Sequence, residues 1–483
     1  MSSLAFATIT ELKQKLANKE LSSRELLESS IARFNRYNQE LGAALEVFDV
    51  ESILAASTTT QGLLAAIPGI IKDNICIKNR IASCASKILA MYRATYDATA
   101  ITRLKEQGAL LVGRANMDEF AMGSSNEYSA YYPAKNPWDL SRVPGGSSGG
   151  SIVSVAAGLV PWALGSETGG SVRLPAAYCG IVGLKPTYGL VSRYGLIAYA
   201  SSLDQIGIAT RTVHDNALVL SVIAGHDVKD SSSAATVQKD YTLGLDGKLP
   251  TGLRIGLIDT MLHAEGMDPE IQHAVEQTQA VFTGLGAHVK RIQLKTLDNA
   301  TAAYFIISRA EAASNLARFD GVRYGYRNKD AQTLNQMYEE TRHDGFGFNV
   351  RTRILVGNYV LSVGHAGDFY QNAKKVQAMI RQEIADIFSE VDVLLAPVTA
   401  GPAFKLGECM ENPLQMDLTD YFTGFVNLAG IPAISIPCGF TSTNLPIGFQ
   451  LIGKHFAEDL LFKVAHAYEQ QTPWHTKHPI GLE

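Results

Sequence analysis

The stretch Val143-Pro-Gly-Gly-Ser147-Ser148-Gly-Gly-Ser151 runs into an apolar segment ending at Leu164. It is followed by Gly165-Ser-Glu-Thr168-Gly169-Gly170-Ser171-Val-Arg173-Leu-Pro175-Ala176. Two Gly/Ser-rich turns thus bracket a segment apolar enough to be buried. Glycine allows the sharp bends that such turns need, so each turn can present a hydroxyl, and Ser147 and Ser171 are aimed at one place. Taken singly, a Gly/Ser loop is a connector by default. A phosphate-cradling loop would require a Gly-Lys-Ser/Thr after Gly145–Ser151, and none follows.

A serine is a weak nucleophile until a neighbouring base takes its proton. The eleven histidines, from His214 to His478, all come after the serine loops, and none lies in a Gly-rich turn or at a strand end. A lysine suits the task better, because burial can keep an amine neutral and basic at working pH. Lys72 is the candidate. It sits in Ile67-Pro-Gly-Ile-Ile71-Lys72-Asp73-Asn74-Ile75, where an apolar strand-like run turns polar, the place where an α/β enzyme presents catalytic groups. Lys185, in Gly183-Leu-Lys185-Pro-Thr187, is the rival; it follows the nucleophile block and adjoins Pro186, as in a structural turn.

The block Gly145-Gly146-Ser147-Ser148-Gly149-Gly150-Ser151, with Lys72 before it and Gly169-Gly170-Ser171 after it, resembles the amidase signature family of serine hydrolases. The order of the blocks fits, as does the 24-residue separation of Ser147 and Ser171. The resemblance implies that Ser171 is the nucleophile, Ser147 a bridging serine on a cis peptide bond, and Lys72 the base. It also implies that backbone N–H groups from Thr168, Gly169, Gly170 and Ser171 hold the oxyanion, a role whose loss costs about 10²–10³ in rate elsewhere. Hydrolysis by such a triad requires no metal or organic cofactor.

Composition bounds the rest. The 483 residues are 46% hydrophobic and 18% charged, enough for a large core. The net charge of -5 and the lack of a basic run argue against a chain that grips nucleic acid by itself; if RNA takes part, a partner holds it. Cys76, Cys84, Cys179, Cys409 and Cys438 form no Cys-x-x-Cys pair and are odd in number, a pattern suited to a reducing compartment. Met1–Lys15 lacks the pattern of a signal peptide, and the longest apolar run, Ile152–Leu164, is too short to span a bilayer and holds Pro161. A cytoplasmic location with no membrane attachment is expected.

Thr8–Glu11 and Ser22–Glu25 each read as a capping box, and Leu26, Leu27, Ile31 and Phe34 then recur at helical spacing. Strands are expected at Ala44–Val50, around Ile67–Lys72 and at Ala109–Val112, with helices at Glu51–Leu64 and Thr99–Gln107. Asp204 and Gln205 are expected to brace the active-site loops, Asp227–Pro250 to be a loop, and Asp298–Glu383 to be helical. Strand-like runs return at Leu253–Ile258, Val391–Ala396, Ala433–Pro437 and Gly448–Gly453, before a closing helix at Glu458–Glu469. Such alternation predicts an α/β fold. Strands that return so late predict one domain over residues 1–483, a central mixed sheet flanked by helices, with its catalytic core at about 65–210.

Asn116-Met-Asp-Glu119-Phe120-Ala-Met122-Gly123-Ser-Ser125-Asn126-Glu127 and Asn136-Pro-Trp138-Asp139 resemble one branch of the family, the glutaminases of tRNA-dependent amidotransferases. That resemblance implies hydrolysis of glutamine within a heterotrimer: two partner subunits bind the mischarged tRNA, and the complex uses ATP and magnesium on a partner. A glutaminase must meet an α-carboxylate with a cation and an α-ammonium with an anion. The resemblance points to Arg353 and Asp420 for these roles, with Arg351 as a rival to Arg353. The chain departs from the family pattern at Glu167 (usually Asp), Leu174 (usually Gln) and Ile208 (commonly Pro). A free-standing amidase for small carboxamides and an inactive scaffold are the competing readings.

Overall fold

A computed structural model of the chain describes residues 4–57, 59–410, 416 and 418–482. Both capping boxes form, opening the helices Ile9–Ala17 and Ser23–Leu41 with reciprocal side-chain and backbone bonds. The first strand, β1 (Ala44–Val47), is shorter than its apolar run. Asp49 accepts a hydrogen bond from the Ser52 N–H and starts a helix at Val50, which ends at Ala56 rather than running on to Leu64.

The other strands are β2 (Pro68–Lys72), β3 (Leu110–Ala115), β4 (Trp162–Glu167), β5 (Val182–Lys185), β6 (Gln205–Thr210), β7 (Arg254–Ile258), β8 (His288–Ile292), β9 (Val393–Pro397), β10 (Ala433–Phe440) and β11 (Pro446–Gly453). All eleven form one sheet in the order β1-β3-β2-β4-β6-β5-β10-β11-β9-β7-β8. The pairs β2–β3, β2–β4, β7–β8 and β7–β9 are parallel and the remaining pairs are antiparallel, so the sheet is mixed. Because β9, β10 and β11 join strands formed early in the chain to β7 and β8, the sheet closes only when the last third arrives. The expected single domain follows from that order.

Helices cover the sheet through two large apolar cores. One gathers the N-terminal helices with Thr99–Glu106, Val213–Ile223, Pro269–Gly284 and Glu458–Glu469. The other gathers Leu297–Asn315, Phe348–Leu361, Asn372–Glu390 and Gly424–Ala429 from the helical segment expected at 298–383 and beyond it. Residues 227–250 hold no helix or strand. No helix among the described residues is long and apolar enough to cross a membrane. All five cysteines are free and buried.

Candidate active site

The parallel pairing of β2 with β4 decides where the chemistry sits. Ile71 is in register with Leu164, so Lys72, the last residue of β2, lies beside the Gly165–Ser166 end of β4. Lys72 is 0% exposed. Its Nζ donates to Ser147 Oγ at 2.7 Å, Ser148 Oγ at 2.8 Å and the Ser166 carbonyl at 3.0 Å. Burial pushes its pKa down to about 7, against the pull of the Asp118 and Asp204 carboxylates. A lysine held there can give up and regain a proton near neutrality. The strand end is fixed by Asp73, which pairs with Arg114 at 2.5 Å and accepts the Ala85 N–H, and by Asn74, which donates to Ser166 Oγ at 2.9 Å.

The first serine loop meets Lys72 directly, and the second is tied to the first. The Gly146–Ser147 peptide bond is cis, as the family resemblance implies. The Ser147 carbonyl accepts the Asp118 N–H at 3.2 Å, while the Ser148 N–H donates to the Ser171 carbonyl at 3.1 Å, tying the first loop to the second. Ser147 is 0% exposed and touches the lysine, and Ser171, also buried, is slightly more open at 6%. A hydroxyl relay from Ser171 inward to Lys72 fits this gradient.

Beyond β4 the loop is held by a buried ion pair. Glu167 accepts the N–H groups of Val172 at 3.1 Å and Arg173 at 3.0 Å, and its other oxygen pairs with the Arg173 guanidinium. Burial alone would raise the Glu167 carboxyl, yet Arg173 holds it below its ordinary value. Arg173 also reaches Gln450, the Thr423 carbonyl and Asn427. A buried charge pair needs such further partners to be tolerated. The longer Glu in place of the family's Asp spans both duties. With those two N–H groups taken by Glu167, the N–H groups of Gly169, Gly170 and Ser171 have no protein acceptor among the described residues. They are the free donors that an oxyanion would need. The Thr168 N–H has no acceptor among the described residues either, and its side chain donates to Asp204 at 2.6 Å.

The other two departures are packing choices. Leu174 lies in a small apolar cluster with Val143, Tyr178 and Val398. Ile208 is mid-strand, paired to Leu164 and to Leu184, where a proline would withhold a ladder donor.

Asp420 lies beside the nucleophile loop. A Cβ added to Gly170 would stand 2.3 Å from Thr423 Oγ1, so only glycine lets Thr423 so close, and 3.3 Å from Asp420 Oδ1, which places the carboxylate next to the loop. Ser124 Oγ donates to Asp420 at 3.3 Å. Arg353 projects from the buried face of the helix Phe348–Leu361 and is held by Tyr199 Oη at 2.9 Å and Asn349 Oδ1 at 3.2 Å. The Tyr199 N–H in turn donates to Asp204, the partner of Thr168. Arg353 is therefore two residues removed from the oxyanion loop. Arg351 is half-buried, its charge lies near Glu119, and its Nε has no partner among the described residues. Of the two rivals, Arg353 is the one connected to the site.

Asp204 and Gln205 do brace loops: Asp204 through Thr168, Tyr199 and Ala200, and Gln205 through Gly189 and Val191. Ser148, Asp118, Arg173 and Tyr199 escape sequence reasoning. Ser148 repeats its neighbour's chemistry, Asp118 sits within a block read as a branch marker, and Arg173 and Tyr199 depend on partners far along the chain.

The comparisons agree with this geometry. A family model described as Amidase matches residues 25–462. The A subunit of the glutamyl-tRNA(Gln) amidotransferase of Chromohalobacter salexigens is 49% identical, with 98% of each chain covered, and its namesake from Halothermothrix orenii is 48% identical at the same coverage. Among solved structures, the Thermotoga maritima protein of that name superposes with a TM-score of 0.82 at 39% identity, covering 97% of this chain and 96% of the other. A 6-aminohexanoate cyclic dimer hydrolase superposes with a TM-score of 0.88 at 28% identity, covering 99% of each. With the serine and lysine blocks assembled around one buried amine and the match running through nearly its whole length, this chain belongs to the amidase family.

Proposed function

We infer that this chain is the glutaminase subunit of a glutamine-dependent aminoacyl-tRNA amidotransferase. The chemistry rests on the 2.7 Å contact between a buried Lys72 and Ser147. The choice of substrate rests on identity: the hydrolase shares the fold at the higher TM-score, whereas the glutamyl-tRNA(Gln) amidotransferase proteins share far more of the sequence.

The cycle begins with Lys72 neutral. Ser171 Oγ attacks the side-chain carbonyl of glutamine as its proton passes to Ser147 and the Ser147 proton passes to Lys72. The N–H groups of Thr168, Gly169, Gly170 and Ser171 hold the oxyanion. Lys72 then returns the proton through Ser147 to the departing amine, and ammonia leaves. Water attacks the acyl-serine, gives up its proton along the same path, and glutamate is released. Asp420 holds the substrate ammonium and Arg353 its carboxylate. No cofactor enters these steps. Ammonia passes to the partner subunits B and C, which hold mischarged Glu-tRNA(Gln), or Asp-tRNA(Asn), and use ATP with magnesium to activate it.

The test is ammonia release from glutamine by the chain alone, then with partner subunits, ATP and Glu-tRNA(Gln). Weak activity that rises sharply in the complex is the expected result. Full activity alone, or a preference for simple carboxamides, would make the chain a free-standing amidase. Ser171→Ala should abolish glutamine-dependent amidation by about 10³–10⁶ while ammonia-dependent amidation survives; survival of both would leave only a scaffold role.

A further inference from the structure

The segment 118–126 touches both the first serine loop and Asp420. Asp118 holds the Ser147 carbonyl, Ser124 donates to Asp420, and Asn126 Oδ1 accepts the Gly150 N–H at 3.1 Å. Glu119 faces away from these groups. It is buried, and its carboxylate accepts a hydrogen bond from Ser86 Oγ on one oxygen and from the Gly347 N–H at 2.9 Å on the other.

Gly347 is the N-cap of the helix Phe348–Leu361 and supplies no capping side chain of its own. Glu119 therefore plays, from a distant part of the chain, the part of a capping-box carboxylate: it accepts the N–H of the N-cap residue itself and puts a negative charge at the end of the helix where an anion is favoured. The fit is close, since a Cβ on Gly347 would lie 2.5 Å from Glu119 Oε2. A second tie lies two residues along: Asn349 donates to the Met122 carbonyl at 2.6 Å and accepts from Arg353 Nε at 3.2 Å. Phe120 and Ala121, between these two ties, have φ of 49° and 61°, a conformation that non-glycine residues hold only when their surroundings enforce it.

We propose that Glu119 is a positioning residue for substrate selection: by capping the helix that carries Arg353, it fixes the guanidinium at the depth where it meets the glutamine α-carboxylate. The inference rests on the glutaminase reading and adds to it a residue that touches neither substrate nor triad. It explains why a carboxylate is buried here with no salt bridge of its own among the described residues. The geometry that sets specificity is thereby referred back to the segment that also sets the triad.

The test is steady-state glutaminase kinetics in the full chain with its partner subunits, comparing Glu119→Ala, Arg353→Ala and the double variant. Glu119→Ala should raise KM for glutamine about tenfold with kcat within about twofold, and Glu119→Gln, which keeps an acceptor for the Gly347 N–H, should recover most of the loss. Gly347→Ala should reproduce the KM rise by pushing the carboxylate away. The double variant should be no worse than Arg353→Ala, because the two changes act through one guanidinium. Additive effects, an unchanged KM in Glu119→Ala, or a fall confined to kcat would overturn the proposal. A wild-type complex that does not hydrolyse glutamine, or an unchanged KM in Arg353→Ala, would instead overturn the functional reading beneath it.

Discussion

Lys72 and Lys185 are two buried lysines in one sheet, 0% and 1% exposed. Burial pushes each down to about 7. By titration alone they are twins. Their neighbours separate them: Lys72 donates to two serine hydroxyls and a carbonyl, while Lys185 donates to the carbonyl of adjacent Pro186 at 2.8 Å and has the charges of Glu167, Arg173 and Glu458 around it. A lowered pKa makes a lysine able to act as a base. Contact with a nucleophile's relay makes it one.

The sharpest way to break the comparison is to remove each amine in turn. Lys72→Met should lower glutamine turnover by several orders of magnitude, on the order of 10³ or more, with little change in KM. Measurable turnover within about tenfold of wild type would transfer the base role elsewhere. Next in size is the pH profile. Lys72 must be neutral to accept a proton, so kcat/KM should fall as pH drops through about 7. Asp118 is the carboxylate that most favours the charged form, so Asp118→Asn should move that limb to lower pH. A limb that stays in place would detach Asp118 from the lysine.

The smallest catalytic effect belongs to Lys185→Met, with kcat within about threefold, because Lys185 donates to the Pro186 carbonyl and not to either serine loop. Its mark is on stability. A lysine whose folded pKa is depressed binds fewer protons when folded than when unfolded, so its burial penalty is full below about 7 and disappears as pH rises toward the unfolded value of about 10.5. Wild-type stability should therefore gain with pH across that window, and denaturant titrations of Lys185→Met should show a smaller gain. An unchanged slope would mean that Lys185 is not the buried cation described.

What the sequence revealed and what it hid follow the same division. Gly145–Ser151, Gly169–Ser171 and Lys72 are legible because glycine turns, hydroxyls and a polar switch at a strand end are local signals. The alternation of elements likewise indicates an α/β domain, and the helix Glu458–Glu469 begins and ends where its pattern does. The length of β1 misleads because Asp49, a cap, outranks the apolar run beyond it. Arg353 could be told from Arg351 only once the helix had a buried face, and Glu167 could be understood only beside Arg173. These assignments depend on contacts between residues far apart in the chain, which no window of sequence contains.

Arg173 holds the nucleophile loop through Thr423, Asn427 and Gln450. A ribosome delivers those residues some 250 positions after Ser171 itself. A nascent or truncated chain that stops short of Thr423 thus carries both serines and the lysine but lacks the braces that set their loop. The groups that set the nucleophile loop emerge late, long after the serines and the lysine they serve.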